Sequence, residues 1–307
     1  MLVHGAGVRA NIFLPRAYPT VAQVLSDAGY DVWLLNWRAS IELPPNPWTL
    51  AQAAANDYRP ATDLILERTG AKSLKAIIHC QGSTSFMMAI VAGLLPEYTD
   101  VVSNAVSLHP IVPPLARIKY RISLPTVGRL VDYLNPQWGV SAPAGMPRLI
   151  DWYVRAMHHE CNNAVCKHSS FAFGAGFPTL WRHENLDDAT HEWLKGEFAA
   201  VPMTFYREMW RCLRAGRLVT DGTYPELPAD FTAQRPKTDA RFTFLAGRLN
   251  ACFTAESQRQ TYQFFDSFTP GRHAFHEFPT YGHLDVFIGK NAARDVFPII
   301  LDELRKN

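Results

Sequence analysis

The stretch that most constrains how this chain can fold is Ala76-Ile77-Ile78-His79-Cys80-Gln81-Gly82-Ser83. It is an apolar run that ends in a small nucleophile and resumes as helix through Phe86-Met87-Met88-Ala89-Ile90. A strand that passes into a helix within one residue must reverse sharply, and Gly82 supplies the small position where backbone can run close to backbone. The pattern is a variant of G-x-S-x-G in which Ile78 replaces the first glycine and Cys80 the serine. A thiol at the start of a helix has its thiolate favoured by the helix dipole and the unpaired N–H groups. The alternative reading is a buried structural cysteine in a strand-to-helix turn.

Strand and helix signals alternate around this segment. Leu2-Val3 leads into the His4-Gly5-Ala6-Gly7 turn, and Thr20 to Ala28 has helical spacing closed by Gly29. Asp31 to Trp37 is a short β-rich run, Pro44-Pro45-Asn46-Pro47 a loop, and Asp57 to Arg68 a helix ended by Gly70. Ser103 to Leu108 is expected as the next strand, stopped by His109-Pro110, and strand character returns at Arg241 to Gly247 and His273 to Phe278 before a last helix, Ala292 to Leu304. Such alternation predicts a mostly parallel sheet with helices on both faces. From Pro113 to about Pro236 prolines, aromatics and helix-like stretches such as Leu149 to His159 and Met203 to Ala215 replace it, with no obvious strand. The expected organisation is a core of residues 1–112 and 236–307 with a helical cap, 113–235, inserted between them. Because Met1-Leu2-Val3 opens inside a strand, either the sheet is shortened or the chain begins within a larger polypeptide.

Composition excludes several classes. With 30 Lys plus Arg against 28 Asp plus Glu and no long basic run, nucleic acid is not an expected partner. The longest apolar stretch, Phe86 to Leu95, is too short for a membrane span, which needs about 20 residues. Five cysteines form an odd set with no secretory signal upstream, which points to a reducing, cytoplasmic location.

Nucleophilic acyl transfer needs a nucleophile, a base, a group that orients the base, and N–H donors for the oxyanion. Cys80 is the candidate nucleophile, and His283 in Pro279-Thr280-Tyr281-Gly282-His283-Leu284-Asp285, after the last strand, the candidate base. Asn250 stands where the strand Phe242 to Ala246 runs out and is the candidate orienter, its amide oxygen able to accept the His283 Nδ1–H; Asp285 and Glu256 are the alternative carboxylates. The backbone N–H groups of Ala6 and Gln81 are the candidate oxyanion hole. Nucleophile, orienter and histidine follow one another in the order α/β-hydrolases use. His79, beside the nucleophile, is read as supporting or packing. His158-His159-Glu160-Cys161 with Cys166 and His168 does not match a standard zinc spacing, so no metal site is expected, nor a Cys161–Cys166 disulfide in a reducing compartment. Trp181-Arg182-His183-Glu184-Asn185 is read as lining the entrance or tying cap to core.

These segments, with Asp31 to Arg38, resemble an α/β-hydrolase over nearly the whole chain, in particular the hydrolase-like region found alone or joined to flavin-dependent GMC-type (cholesterol-oxidase-like) oxidoreductases in bacteria. A weaker likeness is to polyhydroxyalkanoate synthases, which share a cysteine elbow and a Trp-Arg pair matched by Trp37-Arg38 and Cys80, but are expected to carry aspartate where Asn250 stands. The candidate residues predict hydrolysis through a Cys80 thioester, and the aromatic, proline-rich cap predicts an apolar ester or thioester as substrate. Acyl transfer of the synthase type, or a non-catalytic partner module of a flavin oxidoreductase, are the other readings the resemblance leaves. No G-x-G-x-x-G motif is present, so no flavin or other cofactor is expected in the chain itself.

Overall fold

The computed structural model describes residues 1–306. Its core is a six-stranded sheet in which every pairing is parallel, formed by β1 (Leu2–Val3), β2 (Leu34–Leu35), β3 (Leu74–His79), β4 (Tyr98–Asn104), β7 (Arg241–Gly247) and β8 (Ala274–Phe278) in the order β2-β1-β3-β4-β7-β8. The chain steps outward from β1 to β2, then returns past β1 to build β3, β4, β7 and β8. Right-handed crossovers therefore place α1 (Val21–Asp27) on the face opposite α2 (Leu50–Asn56), α3 (Tyr58–Thr69) and α4 (Cys80–Val91). The strand order reverses between β1 and β3, whose carboxyl ends deliver His4 and Cys80 side by side. In parallel sheets, ligand crevices form at such a reversal.

Local chemistry sets most of these elements. Thr20 caps α1 by accepting the Gln23 N–H, and Gly70 closes α3 in the left-handed conformation. Helix α2 falls in a stretch assigned to no element from sequence; Thr49 caps it and Glu208 accepts the Leu50 and Ala51 N–H groups. Helix α4 is buried along its whole length: Phe86 to Val91 are apolar, and in the first half Ser83 bonds to Ser103 while Thr84 and Ser85 donate to the Gln81 carbonyl.

Three expectations need correction. Strand β4 runs from Tyr98 to Asn104 rather than from Ser103 to Leu108, because Ala105 takes a left-handed φ of 82° that ends the strand. Its polar start is not legible in the sequence, since Asp100 is buried with distant partners, in ion pairs with Arg241 and Lys75, both at 3.1 Å, besides accepting the Thr99 hydroxyl at 3.0 Å. The final helix is two pieces, α12 (Ala292–Asp295) and α13 (Phe297–Arg305), with Pro298 in the first turn of the second.

The third correction concerns the segment between β4 and β7, which carries α5 (Pro114–Ser123), α6 (Met146–Met157), α7 (Ala164–Phe173), α8 (Asp188–Trp193) and α9 (Met203–Ala215). It is mainly helical, yet it holds an antiparallel ribbon of β5 (Tyr133–Leu134) and β6 (Val201–Pro202), too short to register as strands in sequence. Helix α10 (Ala255–Asp266) and the single turn α11 (Asp285–Ile288) complete the fold. No helix of the described residues is long and apolar enough to cross a membrane.

Candidate active site

Cys80 sits at the apex of the β3–α4 turn with φ of +54°, a left-handed conformation that costs a non-glycine residue about 1–3 kcal/mol and persists only when the surroundings dictate it. The surroundings are tight. A Cβ added to Gly82 would lie 2.1 Å from the His4 carbonyl oxygen, and one on Gly5 would lie 2.9 Å from the Cys80 Cβ. Glycine at both positions lets the β1 loop close onto the turn, so the sulfur is presented at the end of the sheet.

The imidazole of His283 arrives from the far end of the chain. One ligand-competent atom from each of His79, Cys80 and His283 lies within 4.8 Å of the others. The loop bearing His283 is held from both sides: its N–H donates to the Leu180 carbonyl at 2.8 Å, and Asp285 accepts the Gly282 N–H at 2.9 and 3.0 Å and the Asn185 amide at 2.6 Å. Asp285 is thereby committed to shaping the turn and makes no hydrogen bond to His283. Glu256 lies on α10 and accepts from Gln260 at 3.2 Å. Among the described residues no carboxylate meets the His283 ring.

Asn250 does meet it, with its nitrogen. The Asn250 Nδ2 lies 3.1 Å from His283 Nδ1, while Oδ1 accepts the Cys252 and Phe253 N–H groups at 2.8 and 3.1 Å. Turning the amide over would aim its NH2 at two backbone donors, so this orientation is fixed. The expected amide-oxygen acceptor is therefore corrected: the group facing Nδ1 is a donor, which makes Nδ1 the lone-pair nitrogen and leaves the ring proton on Nε2.

Burial alone would raise the Cys80 thiol, but the Cys252 thiol, the His283 imidazole and the Gln81 N–H outweigh it and hold Cys80 well below the ordinary thiol range. Cys252 is pushed the opposite way by burial and by the neighbouring sulfur. The Ala6 N–H has no protein acceptor among the described residues and lines the same crevice. The His79 ring stands 4.8 Å from that of His283, and its Nδ1 takes the Asn104 amide at 2.9 Å. It is buried, and burial holds it neutral, well below the usual histidine range. Nothing in the sequence pairs His79 with Asn104; the parallel register of β3 and β4 does.

The cavity over Cys80 measures about 20 Å³, room for about one water, and Phe173, Leu180, Trp181 and Phe198 from the covering segment wall it. In the Trp181 to Asn185 cluster, Trp181 lines the cavity and Asn185 donates to the Thr280 carbonyl at 2.9 Å and to Asp285 at 2.6 Å. A larger cavity of about 250 Å³, lined by Met1, Tyr30, Trp33 and Leu74, lies at the opposite end of the strands and brings no nucleophile to a base.

The parallel sheet, the strained elbow and the late histidine define an α/β-hydrolase fold. A thermophilic esterase from Thermogutta terrifontis, solved with malate bound, is similar to it with a TM-score of 0.55 at 14% identity, over 99% of this chain and 88% of that one. Among curated proteins, sterol esterase 2 of Saccharomyces cerevisiae is 27% identical over 131 residues, 37% of this chain and 24% of the esterase. Gastric triacylglycerol lipase of Bos taurus is 31% identical over 112 residues, 33% of this chain and 27% of the lipase. The chain thus spans about a quarter of the length of these curated relatives. No family model matches it.

Proposed function

We propose that this chain hydrolyses esters and thioesters of apolar acyl groups through a thioester on Cys80. The observation that carries the reading is the Cys80 sulfur, held at a left-handed apex beside the His283 imidazole and faced by the Cys252 thiol and the Gln81 N–H. Similarity to an esterase and a lipase supports ester chemistry of this kind. A sulfur surrounded by donors rests as thiolate and needs no base to become a nucleophile.

In the first step the thiolate forms a bond to the acyl carbon, and the carbonyl π pair moves to oxygen, where the Ala6 and Gln81 N–H groups receive it. Collapse restores the carbonyl and expels the leaving group with its electron pair. His283 in the Nε2–H form would become an anion if it gave up that proton, so it is a poor acid for an alkoxide. Leaving groups that depart as anions, thiolates and phenolates, are therefore favoured over simple alkyl alcohols. In the second step water adds to the carbonyl carbon of the Cys80 thioester and its proton passes to solvent; collapse breaks the C–S bond, releasing the carboxylic acid and returning the Cys80 thiolate. The Nδ1 lone pair is occupied by Asn250, so deacylation is the slow step.

The aromatic walls suit an apolar acyl chain, but a cavity of about 20 Å³ admits one only after the covering segment shifts. The test is a panel of p-nitrophenyl esters, acyl thioesters and ethyl esters of rising chain length, run on wild type and Cys80→Ala. The reading expects turnover of the first two groups, weak turnover of ethyl esters, and loss of all of it in Cys80→Ala. Undiminished turnover in Cys80→Ala would remove the sulfur from the chemistry.

A further inference from the structure

The covering segment contains a second cluster of metal-ligating side chains, which the chemistry at Cys80 does not use. Cys161 and Cys166, on either side of the start of α7, meet His183 and His191, the latter on α8, and one donor atom from each of the four lies within 4.8 Å of the rest. The sequence groups the two cysteines with His158, His159 and His168; His158 stays beside Cys161, and the fold sends the other two elsewhere, His168 Nε2 pairing with Asp151 at 2.9 Å and His159 with the Ala156 carbonyl at 2.8 Å. The histidines that do arrive come from a stretch the local spacing could not include.

We propose that Cys161, Cys166, His183 and His191 form a structural zinc site that clamps the covering segment. Two thiolates and two imidazoles are a donor set that selects zinc over magnesium or calcium, and four protein ligands close a tetrahedral site with no position left for water. The geometry is near what the ion requires. Ligands on a tetrahedral zinc with Zn–S of about 2.3 Å and Zn–N of about 2.0–2.1 Å stand about 3.6 Å apart, and Cys166 Sγ lies 3.4 Å from His183 Nε2. Both cysteines are free thiols. Binding Zn²⁺ displaces their two protons and leaves a neutral site.

The surroundings independently point to a ligand. Among the described residues His191 Nε2 and His158 Nε2 are buried without a hydrogen-bond partner, the His158 side chain lying beside Cys161 while its Nδ1 pairs with the Gly176 carbonyl at 2.7 Å. Buried nitrogens without partners are uncommon, and two beside one pair of thiols call for an explanation. Glu160 Oε2 stands 3.7 Å from His183 Nδ1, on the side where an outer carboxylate orients a zinc-bound imidazole. The clamp also has a purpose in the fold. His183 lies three residues beyond Leu180, whose carbonyl takes the His283 N–H, and two before Asn185, which holds Asp285.

The experiment uses the full chain expressed without a histidine tag in zinc-supplemented medium, purified under reductant and desalted. Elemental analysis is expected to find about one zinc per chain, falling at least about tenfold in Cys161→Ser and Cys166→Ser and unchanged in Cys80→Ser. Cobalt(II) exchanged for zinc should give the intense visible bands of a tetrahedral ion with a thiolate charge-transfer band. Should the buried Cys166 variant fail to fold, Cys161→Ser, His183→Asn and the wild-type cobalt spectrum decide. Wild type that holds no stoichiometric zinc and gives no tetrahedral cobalt spectrum overturns the proposal. So does a Cys161–Cys166 disulfide in freshly purified protein, or zinc that persists when both cysteines are replaced.

Discussion

The Asn250 amide nitrogen donates toward His283 Nδ1 at 3.1 Å because the Asn250 oxygen is already taken by the Cys252 and Phe253 N–H groups. An aspartate at this position would keep one oxygen on those two donors and turn the other toward the ring, moving the imidazole proton to Nδ1 and freeing Nε2 as a base. Asn250→Asp is therefore expected to raise steady-state ester turnover about tenfold to a hundredfold by speeding deacylation. In wild type, rapid mixing with a p-nitrophenyl ester should show a burst of one phenolate per active chain before a slow phase. The burst should shrink in Asn250→Asp. Equal turnover in the two proteins would show that the orientation of this amide does not limit the rate.

The depressed thiol gives a pH dependence with a definite sign. A group whose ionisation is shifted down stays charged at lower pH, so the Cys80 thiolate persists below the ordinary thiol range near about 8.5. The difference in ultraviolet thiolate absorbance between wild type and Cys80→Ala should still be present at about pH 6.5, where an ordinary thiol would be about 99% protonated. A difference that falls in step with a free thiol would mean that the donors around the sulfur do not act on it.

Gly82 tests the packing that creates the elbow. A methyl group there would meet the His4 carbonyl oxygen at 2.1 Å and Val3 Cγ1 at 2.8 Å, and the first of these is backbone that cannot step aside by rotating. Gly82→Ala is expected to cost about 2–4 kcal/mol in urea unfolding and to abolish activity through displacement of the β1 loop. Full stability in this variant would show that the β1 loop and α4 are not held in contact as described.

Glu208 makes a separate prediction about stability. Burial pushes its carboxyl up to about 7, even though it accepts the Leu50 and Ala51 N–H groups. A group raised on folding contributes stability that is complete below its ordinary value near 4.5 and is lost as pH climbs through about 7. Wild type should lose up to about 3 kcal/mol between pH 4.5 and pH 8 from this group, and Glu208→Gln should flatten that part of the profile. Parallel profiles for the two proteins, measured by denaturant unfolding, would remove Glu208 as the source.

What sequence made legible was local. Strand β7 and helix α9 begin and end where the apolar pattern and Gly216 or Gly247 place their limits, and the turn at Cys80 announces itself by an apolar run meeting a nucleophile and a glycine. Less was legible where partners come from separate segments. Strand β4 opens on Tyr98-Thr99-Asp100, whose aspartate is carried inside by Arg241, a residue 141 positions away. The direction of the Asn250 amide depends on two backbone donors that composition does not reveal. His183 and His191 reach Cys161 and Cys166 only because the chain doubles back after α7.

The central claim is that the Cys80 sulfur carries the acyl group. The direct measurement is intact-mass analysis of protein mixed briefly with a p-nitrophenyl ester and quenched in acid, followed by peptide mapping of the modified residue. The account predicts one added acyl mass per chain, located on Cys80, released by hydroxylamine and absent in Cys80→Ala. An acyl group found on another residue, or turnover with no adduct on the Cys80 peptide at any quench time, would contradict it.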